Sequence, residues 1–323
     1  MAKKRTKAIE VTGIFKTGHF LFGNYGANQG TVAQEVHDGD TVGLRTPLNF
    51  SSRFLGMDAP EISFTIRTKD TFVALSNPQW KTFFTSGTWK NMPLAPALKH
   101  HLIGRIGNGD NVAANHDKLS KKSQKQLERM ISDDLAVTGK TESDFLFFLA
   151  FSYEVLDQYA RMLCYLNADR VNYTPPATPN KLSYNERMLA TGWAVPYFIF
   201  PNIQPFLRGQ PFEAPNLTPV GFWKTMNQAN KLKAARKAVA DARAAGLGVF
   251  APNDRLILLP YELRFIARLN SKGPDRYVID LGKSGGNKIL KPEKYFTIAN
   301  LEDRLFIPKE FVPLFVQNGW QVA

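Results

Sequence analysis

Acidic residues and one arginine are spaced along residues 36–61 in a way that suits a metal ion and a phosphate. Asp40 follows the glycine of an Asp-Gly-Asp turn and opens a segment of alternating polarity, and Asp58 stands at the end of a second such segment. If the two segments form a hairpin, Asp40 and Asp58 come together at one end of a sheet, with Glu61 just beyond them. Three carboxylates in one small space repel each other unless a cation binds.

The ligand atoms of this group are oxygens, which hard divalent ions such as Ca²⁺ and Mg²⁺ prefer and zinc does not. Arg53, upstream of Asp58, adds a planar guanidinium that matches two oxygens of a phosphate. A cation, an arginine and a spare carboxylate are the parts of a site that cleaves phosphodiester bonds. Arg53 and Asp58 have opposite parity on a regular strand, so a shared site requires an irregularity, which we predict at Gly56.

These residues belong to a recognisable pair of segments. Two segments of the chain resemble the paired signature of the staphylococcal nuclease-like family. They are Asp38-Gly39-Asp40-Thr41-Val42 and Arg53-Phe54-Leu55-Gly56-Met57-Asp58-Ala59-Pro60-Glu61. Three later blocks are similar to further segments of the same family in the same order, at residues 157–166, 185–194 and 234–250. An Asp-Gly-Asp turn is common by itself, whereas four blocks in the right order are specific.

The resemblance implies roles for eight residues. Asp40, Asp58 and the carbonyl of Ala59 would bind Ca²⁺, Glu61 would be the general base, Arg53 and Arg161 would clamp the phosphate, and Tyr159 and Tyr197 would stack on a base. Together they imply a calcium-dependent nuclease, with Mg²⁺ as the second choice of ion. Single-stranded DNA or RNA is the expected partner, because stacking on aromatic rings needs unpaired bases.

The fold implied by the resemblance is α+β, with a five-stranded OB-fold barrel and packed helices in a domain over residues 8–250. Apolar and alternating patterns assign barrel strands to residues 9–22, 30–37, 145–151 and 161–166, in addition to the hairpin. The apolar run 145–151 is expected to be buried. Helices are predicted near residues 118–131 and, from apolar spacing, between Phe222 and Arg243.

An insertion over residues 62–117 separates the signature from the rest of this domain. Its Trp80 and Trp89 supply apolar surface for a helical subdomain, and its entry directly after Glu61 suits a lid over the site. Three histidines near its end do not have the spacing of a His-Asn-His metal site, so we predict that they pack or cap: His100, His101 and His116.

The remainder of the chain is predicted to lie outside the nuclease-like core. Residues 203–219 are rich in proline and predict a linker. Residues 251–323 change to short segments punctuated by proline and glycine, with strands predicted at 263–267 and 277–281, and are expected to form a small β-rich accessory module.

Composition limits the class of protein and its partners. The chain of 323 residues has 41 Lys and Arg against 28 Asp and Glu, a formal net charge of +13 that suits a polyanion. Its single cysteine, Cys164, excludes an internal disulfide. Residues 1–7 are basic but no apolar export segment follows, and no apolar run is long enough to span a bilayer. A cytoplasmic protein without a membrane partner is therefore expected, and the oligomeric state stays open.

Two other classes of function remain possible from the sequence. The first is a catalytically silent nucleic-acid-binding or scaffold module that keeps the fold of the nuclease-like family. The second is a structural component that assembles through residues 251–323. The presence of all five charged positions of the signature favours an enzyme over a silent module: Asp40, Arg53, Asp58, Glu61 and Arg161.

Overall fold

The computed structural model describes residues 9–12, 15–18, 21–26, 28–38, 41–42, 44–45, 51–67, 71–157, 160–169, 180–203, 214–269 and 273–323. The chain combines helices with several sheets, so the predicted α+β class is confirmed. It divides into two compact units, the first formed by Met1–Arg53 and Glu154–Cys164, and the second by Phe54–Tyr153 and Tyr165–Ala323.

Nine α-helices are present in the described residues. They are α1 Val32–Glu35, α2 Pro78–Thr85, α3 Pro96–Ile106, α4 Val112–Thr138, α5 Tyr184–Ala190, α6 Pro219–Gln228, α7 Asn230–Ala244, α8 Pro260–Ala267 and α9 Val312–Gln317. The helix predicted near residues 118–131 is confirmed as α4, and the helical pattern after Phe222 is divided between α6 and α7, which meet at Ala229. None of these helices combines the length and apolar character that a bilayer crossing requires.

The strands of the described residues are mostly short. They are β1 Ile9–Thr12, β2 Phe15–Gly18, β3 Leu21–Phe22, β4 Asn24–Tyr25, β5 Asn28–Gln29, β6 Val36–Asp38, β7 Thr41–Val42, β8 Leu44–Arg45, β9 Ser52–Phe54, β10 Gly56–Asp58, β11 Ser63–Thr65, β12 Phe72–Ala74, β13 Phe147–Leu156, β14 Met162–Ala168, β15 Val195–Ile199, β16 Tyr277–Asp280, β17 Lys288–Ile289, β18 Arg304–Ile307 and β19 Gln321–Val322. The strand predicted at 277–281 is confirmed as β16.

A four-stranded sheet in the order β10-β15-β18-β16 forms the centre of the second unit. Strand β10 runs antiparallel to β15, with Asp58 opposite Val195, whereas β15 and β18 are parallel, with Phe198 opposite Leu305. Strands from both sides of the predicted boundary at residue 250 therefore share one sheet, and residues 251–323 belong to the same compact unit as Phe54–Tyr153.

A closed barrel is not seen among the residues that the structure describes. Strands β13 and β14 form a three-stranded sheet with β9, in the order β13-β14-β9, while β10 pairs with β15 in the central sheet. The chain changes sheets at Gly56, whose φ of 72° lies in the left-handed region that glycine adopts without strain. The irregularity predicted at Gly56 is thus present, and it assigns Arg53 and Asp58 to different sheets.

Helix α8 corrects the strand predicted at residues 263–267. Pro260 occupies the first turn of this helix, where a missing N–H costs nothing, and nearly every side chain of the helix is buried. A helix that is buried all round has no polar face, so its sequence does not show the helical period. The apolar run therefore resembles a strand although the chain is helical.

The insertion over residues 62–117 is an integral part of the second unit. Trp80, Trp89 and Leu98 are completely buried. The Asn115 side chain accepts a hydrogen bond from the Ile257 backbone N–H at 2.9 Å and donates to the Arg255 carbonyl at 3.1 Å, which ties the start of α4 to the segment before α8. The predicted packing of Trp80 and Trp89 is confirmed, and the lid role of residues 62–117 stays a prediction.

Strand β13 differs from the buried strand predicted at 145–151. Phe147, Phe148 and Phe151 are 41%, 51% and 43% exposed, and Tyr153 further along is 66% exposed. A continuous apolar run does not by itself identify a strand that is covered on both faces.

Candidate functional site

Asp58 and Glu61 converge on a single guanidinium, that of Arg264 in α8. Arg264 Nη2 donates to Asp58 Oδ2 at 2.5 Å, and Nη1 donates to Asp58 Oδ1 at 3.0 Å and to Glu61 Oε1 at 2.7 Å. The Asp58 pair is bidentate, which is the strongest geometry for an arginine and a carboxylate. We call Asp58, Glu61 and Arg264 the acidic cluster.

Two elements position the acidic cluster. Strand β10 ends at Asp58, and the turn through Ala59-Pro60 brings Glu61 to the same guanidinium, which α8 supplies from the C-terminal part of the chain. The side chain of Asp58 is 2% exposed, while those of Arg264 and Glu61 are 17% and 19% exposed. Burial opposes the charge on Arg264, but the two carboxylates outweigh it and raise the pKa of the guanidinium well above its usual value.

His116 supports the cluster from α4. Its Nδ1 accepts the Glu61 backbone N–H at 3.2 Å, and its Nε2 lies 2.9 Å from the Leu258 carbonyl, to which it donates in this tautomer. Complete burial lowers the pKa of His116 to about 4, so the ring is neutral at pH 7. Both ring nitrogens are engaged within the protein, which confirms the packing role predicted for this histidine.

Tyr197 is enclosed, and it does not present an open stacking surface. Its ring stacks on Tyr261 with centroids 5.3 Å apart and an interplanar angle of 10°. Its hydroxyl accepts a hydrogen bond from Arg276 Nη1 at 2.6 Å, and the Arg264 guanidinium lies 5.9 Å from the ring centroid. With 9% of the residue exposed, little of Tyr197 is open to a base, so this arrangement does not support the predicted stacking role.

The two arginines predicted to clamp phosphate belong to the first compact unit, whereas Asp58, Ala59 and Glu61 belong to the second. Arg161 Nε and Nη2 donate to Asp157 Oδ2 at 2.7 and 2.6 Å, and its side chain is 31% exposed. Arg53 is half-buried in β9. The predicted metal ligand Asp40 and the predicted stacking residue Tyr159 lie outside the described residues.

Arg264 is the residue of the site that the sequence pattern does not identify, because the apolar run at residues 263–267 predicts a strand in an accessory module. A signal was present in the sequence. Arg264 and Glu262 stand inside an otherwise apolar run, and charged residues are rarely buried unless they are paired. A buried arginine in such a run predicts a carboxylate partner elsewhere in the chain, and Asp58 is that partner of Arg264.

The described donors suit a hard cation in type, although Arg264 already engages the two carboxylates. Asp58, Glu61 and the Ala59 carbonyl offer oxygen atoms only. Across the described ranges, no three His, Cys, Asp or Glu residues come together in a geometry that holds a metal ion. Arg264 supplies positive charge to the pair that the sequence analysis expected a metal to neutralise. Comparison with known proteins identifies no relative: no family model, no curated protein and no solved structure matches this chain.

Proposed function

We propose that this chain is a metal-dependent phosphodiester hydrolase that acts on nucleic acid, with single-stranded DNA or RNA as its substrate. The observation that carries the proposal is the convergence of two carboxylates from the nuclease-like signature. Asp58 Oδ1 and Glu61 Oε1 lie 3.0 Å and 2.7 Å from the same nitrogen, Nη1 of Arg264. Oxygens of two side chains thus meet at one positively charged point, as a cation site requires.

The oxygen donors fit a divalent ion, with Ca²⁺ preferred and Mg²⁺ as the second choice. Asp58, the Ala59 carbonyl and, from outside the described residues, Asp40 would hold it. When bound, the ion would act as a Lewis acid on a phosphoryl oxygen. Arg264 and the ion compete for the same Asp58 oxygens, so metal binding requires the guanidinium to withdraw from at least one of them.

Glu61 would act as the general base. Its side chain is 19% exposed against 2% for Asp58, so water reaches it more easily. The hydrogen bond from its backbone N–H to neutral His116 holds the residue beside Asp58. Glu61 would take the proton of the attacking water, while Arg53 and Arg161 would bind the phosphate oxygens and stabilise the charge that develops on them.

The rest of the implied design also belongs to this proposal. An OB-fold barrel would carry the site, and aromatic rings would stack on unpaired bases. The enclosed ring of Tyr197 suits this task less well than the exposed rings of β13, namely Phe148, Phe151 and Tyr153. Cys164 is buried, and burial raises the pKa of its thiol to about 11, so an unreactive thiol fits the expected reducing, cytoplasmic compartment.

A second candidate is a nucleic-acid-binding module that does not cleave. Arg264 favours it, because the guanidinium already neutralises Asp58 and holds Glu61, so the acidic cluster is stable without a metal. In that case the basic surface expected from the net charge of +13 would bind phosphates, and the cluster would serve only to join β10 to α8.

Cleavage of labelled oligonucleotides distinguishes the two candidates. Single-stranded DNA, duplex DNA and RNA are incubated with the full chain in Ca²⁺, in Mg²⁺ or in excess chelator. We expect cleavage of the single strands in Ca²⁺ and none in chelator. Glu61→Gln and Asp40→Ala, each checked for retained fold, should lower the rate by a hundredfold or more, on the order of the loss of one preorganised group.

A matched control removes charge elsewhere. Arg129→Gln changes an exposed residue of α4 and should cleave at the rate of the unchanged chain. Binding of single strands without cleavage in any metal would assign the chain to the silent class. Full activity in chelator would exclude the metal.

A further inference from the structure

A cavity of about 440 Å³ opens in the second unit between α3, the segment before α8 and the residues around β18. The described residues that line it include four with basic side chains and none with a carboxylate. The basic ones are His101, Arg105, Arg255 and Arg304, and the aromatic ones are Phe250 and Phe296. No sequence-predicted site residue is among them.

Arg105 does not account for the charge of the cavity, because Glu262 neutralises it. Arg105 Nη1 donates to Glu262 Oε1 and Oε2 at 3.1 and 2.8 Å. Burial opposes the charge on Glu262, but three influences outweigh it and lower its pKa to about 2. They are Arg105, the His101 ring with Nε2 3.9 Å from Oε1, and hydrogen bonds from the Leu259 N–H and the Tyr295 hydroxyl. This pair is therefore charged and balanced.

Arg304 is buried without such a partner. It is 6% exposed and donates to neutral acceptors, namely the Ile298 carbonyl at 2.9 and 2.6 Å and the Tyr261 hydroxyl at 2.9 Å. The acidic residues before it are engaged elsewhere, Glu302 with Arg243 and Asp303 with Arg236. Within the part of the chain that the structure describes, no carboxylate lies within 4.0 Å of Arg304.

Arg304 lines the cavity, and its buried charge lacks a counter-ion although each guanidinium nitrogen donates within the protein, to Ile298 or Tyr261. Arg255, an exposed residue at the same cavity, adds a second positive charge. The Ile298 carbonyl accepts from the Nε and Nη2 edge of Arg304, which leaves one N–H on Nη1 and one on Nη2 for an anion. A phosphate group has enough oxygens to accept from both arginines at once.

Stacked aromatic rings line the same cavity. The His101 ring stacks on Phe296 with centroids 4.7 Å apart and planes inclined by 21°, and Phe250 is buried in the wall. Aromatic faces of this kind take up planar rings. The volume also lies in the range of about 300–1,000 Å³ that small-molecule sites occupy.

We infer that this cavity binds a small phosphorylated molecule with a planar ring, of the size of a mononucleotide, with its phosphate on Arg304 and Arg255 and its ring against Phe296. This binding does not require the acidic cluster, so it can be tested independently of the proposed hydrolase activity.

Titration calorimetry on the full chain tests the inference with adenosine monophosphate, inorganic phosphate and adenosine. We expect the monophosphate to bind and adenosine to bind at least about tenfold more weakly, since hydrogen bonds to charged groups are among the strong ones. Binding of inorganic phosphate would support the anion site. Tighter binding of the monophosphate than of inorganic phosphate would support the ring site.

Variants locate the binding. Arg255→Gln changes an exposed side chain, so the fold is retained. It should weaken the binding of the monophosphate by about tenfold. Arg304→Lys keeps the charge but loses the fork, and its fold is checked by thermal unfolding because it also holds Ile298. Arg129→Gln removes the same charge from an exposed position of α4 that belongs to neither site, and it should bind as the unchanged chain does.

Three results would overturn the inference. They are the absence of heat with both phosphate compounds at millimolar concentration, binding that Arg255→Gln leaves unchanged, and loss of binding in Arg161→Gln alone. The last result would assign the nucleotide to the proposed hydrolase site instead.

Discussion

Arg264 decides the charge state of the acidic cluster. With Asp58 2% exposed, the carboxylate would be a nearly unsolvated charge if the guanidinium were absent. Removing one partner of a buried ion pair destabilises a protein far more than replacing both partners by apolar residues, because it leaves a buried charge unpaired. The same residue therefore stabilises the fold and competes with any cation for the oxygens of Asp58.

The first prediction concerns Arg264→Gln. Without metal we expect the variant to lose about 3–5 kcal/mol of unfolding free energy, because Asp58 and Glu61 then face each other without a cation. If the cluster is a metal site, Ca²⁺ should recover a large part of this loss, because it replaces the missing charge and binds only the folded state. Thermal unfolding with and without Ca²⁺ measures both effects.

Two comparisons make this prediction decisive. Arg129→Gln removes the same charge from an exposed position and should change neither the stability nor its response to Ca²⁺. If Ca²⁺ leaves Arg264→Gln as unstable as chelator does, the carboxylates do not bind the ion and the cluster is structural.

His116 makes the stability of the second unit depend on pH. In the folded chain its pKa is lowered to about 4, against 6.5 for a free histidine, because burial disfavours the charged ring. Between these values the unfolded chain binds a proton that the folded chain does not, so stability falls as the pH falls. Above pH 6.5 the full stability is present.

We expect the unfolding free energy to drop by about 2–3 kcal/mol between pH 7 and pH 4.5 from this residue. Glu262 contributes little in this window, since the stability from its lowered pKa is complete well above 4.5, the usual value, and is lost mainly as the pH falls from 4.5 toward 2. Denaturant unfolding at several pH values measures the drop. It should be smaller by that amount in His116→Gln and unchanged in the exposed control His100→Gln; an equal slope in both variants would contradict the assignment.

At the scale of elements, α8 connects parts of the chain that are far apart in sequence. It supplies Arg264 to Asp58 and Glu61 after β10, and it supplies Glu262 to Arg105 in α3. Strand β18 adds a parallel neighbour to β15 in the same sheet. Residues after 250 thus complete the surroundings of Asp58 and Glu61.

A chain ended after residue 250 tests this dependence. We expect it to lose cooperative thermal unfolding, because Asp58 loses Arg264 and β15 loses its partner β18, which leaves a buried charge and an unpaired strand edge. Circular dichroism and thermal melting of the shortened chain measure the effect. A cooperative melt close to that of the full chain would instead restore the separate accessory module predicted from the sequence.

For the whole molecule, the net charge of +13 predicts binding to nucleic acid that depends strongly on salt. Each phosphate neutralised on a single strand lowers the logarithm of the affinity by about 0.7 per logarithm of salt concentration. We expect single-stranded DNA to bind more tightly than duplex of equal length. Its affinity should fall steeply between about 50 and 200 mM salt. Fluorescence anisotropy with both substrates checks the two expectations.

A weak response to salt would mean that the basic residues are used inside the protein. Some of them are used in this way, since Arg105, Arg236 and Arg264 pair with buried or half-buried acids. The salt slope therefore reports how many basic side chains remain for a polyanion.

The amino-acid sequence by itself determined the local features of this protein. The α+β class, helix α4, strand β16, the irregularity at Gly56 and the packing role of His116 follow from spacing, turn chemistry and the absence of a metal-site pattern. These depend on residues close together in the chain. The pairing of Asp58 with Arg264, the burial of α8 on all sides and the use of residues 62–117 as core depend on contacts between distant segments. Only the tertiary structure decided those, because neither periodicity nor composition specifies which buried arginine meets which carboxylate.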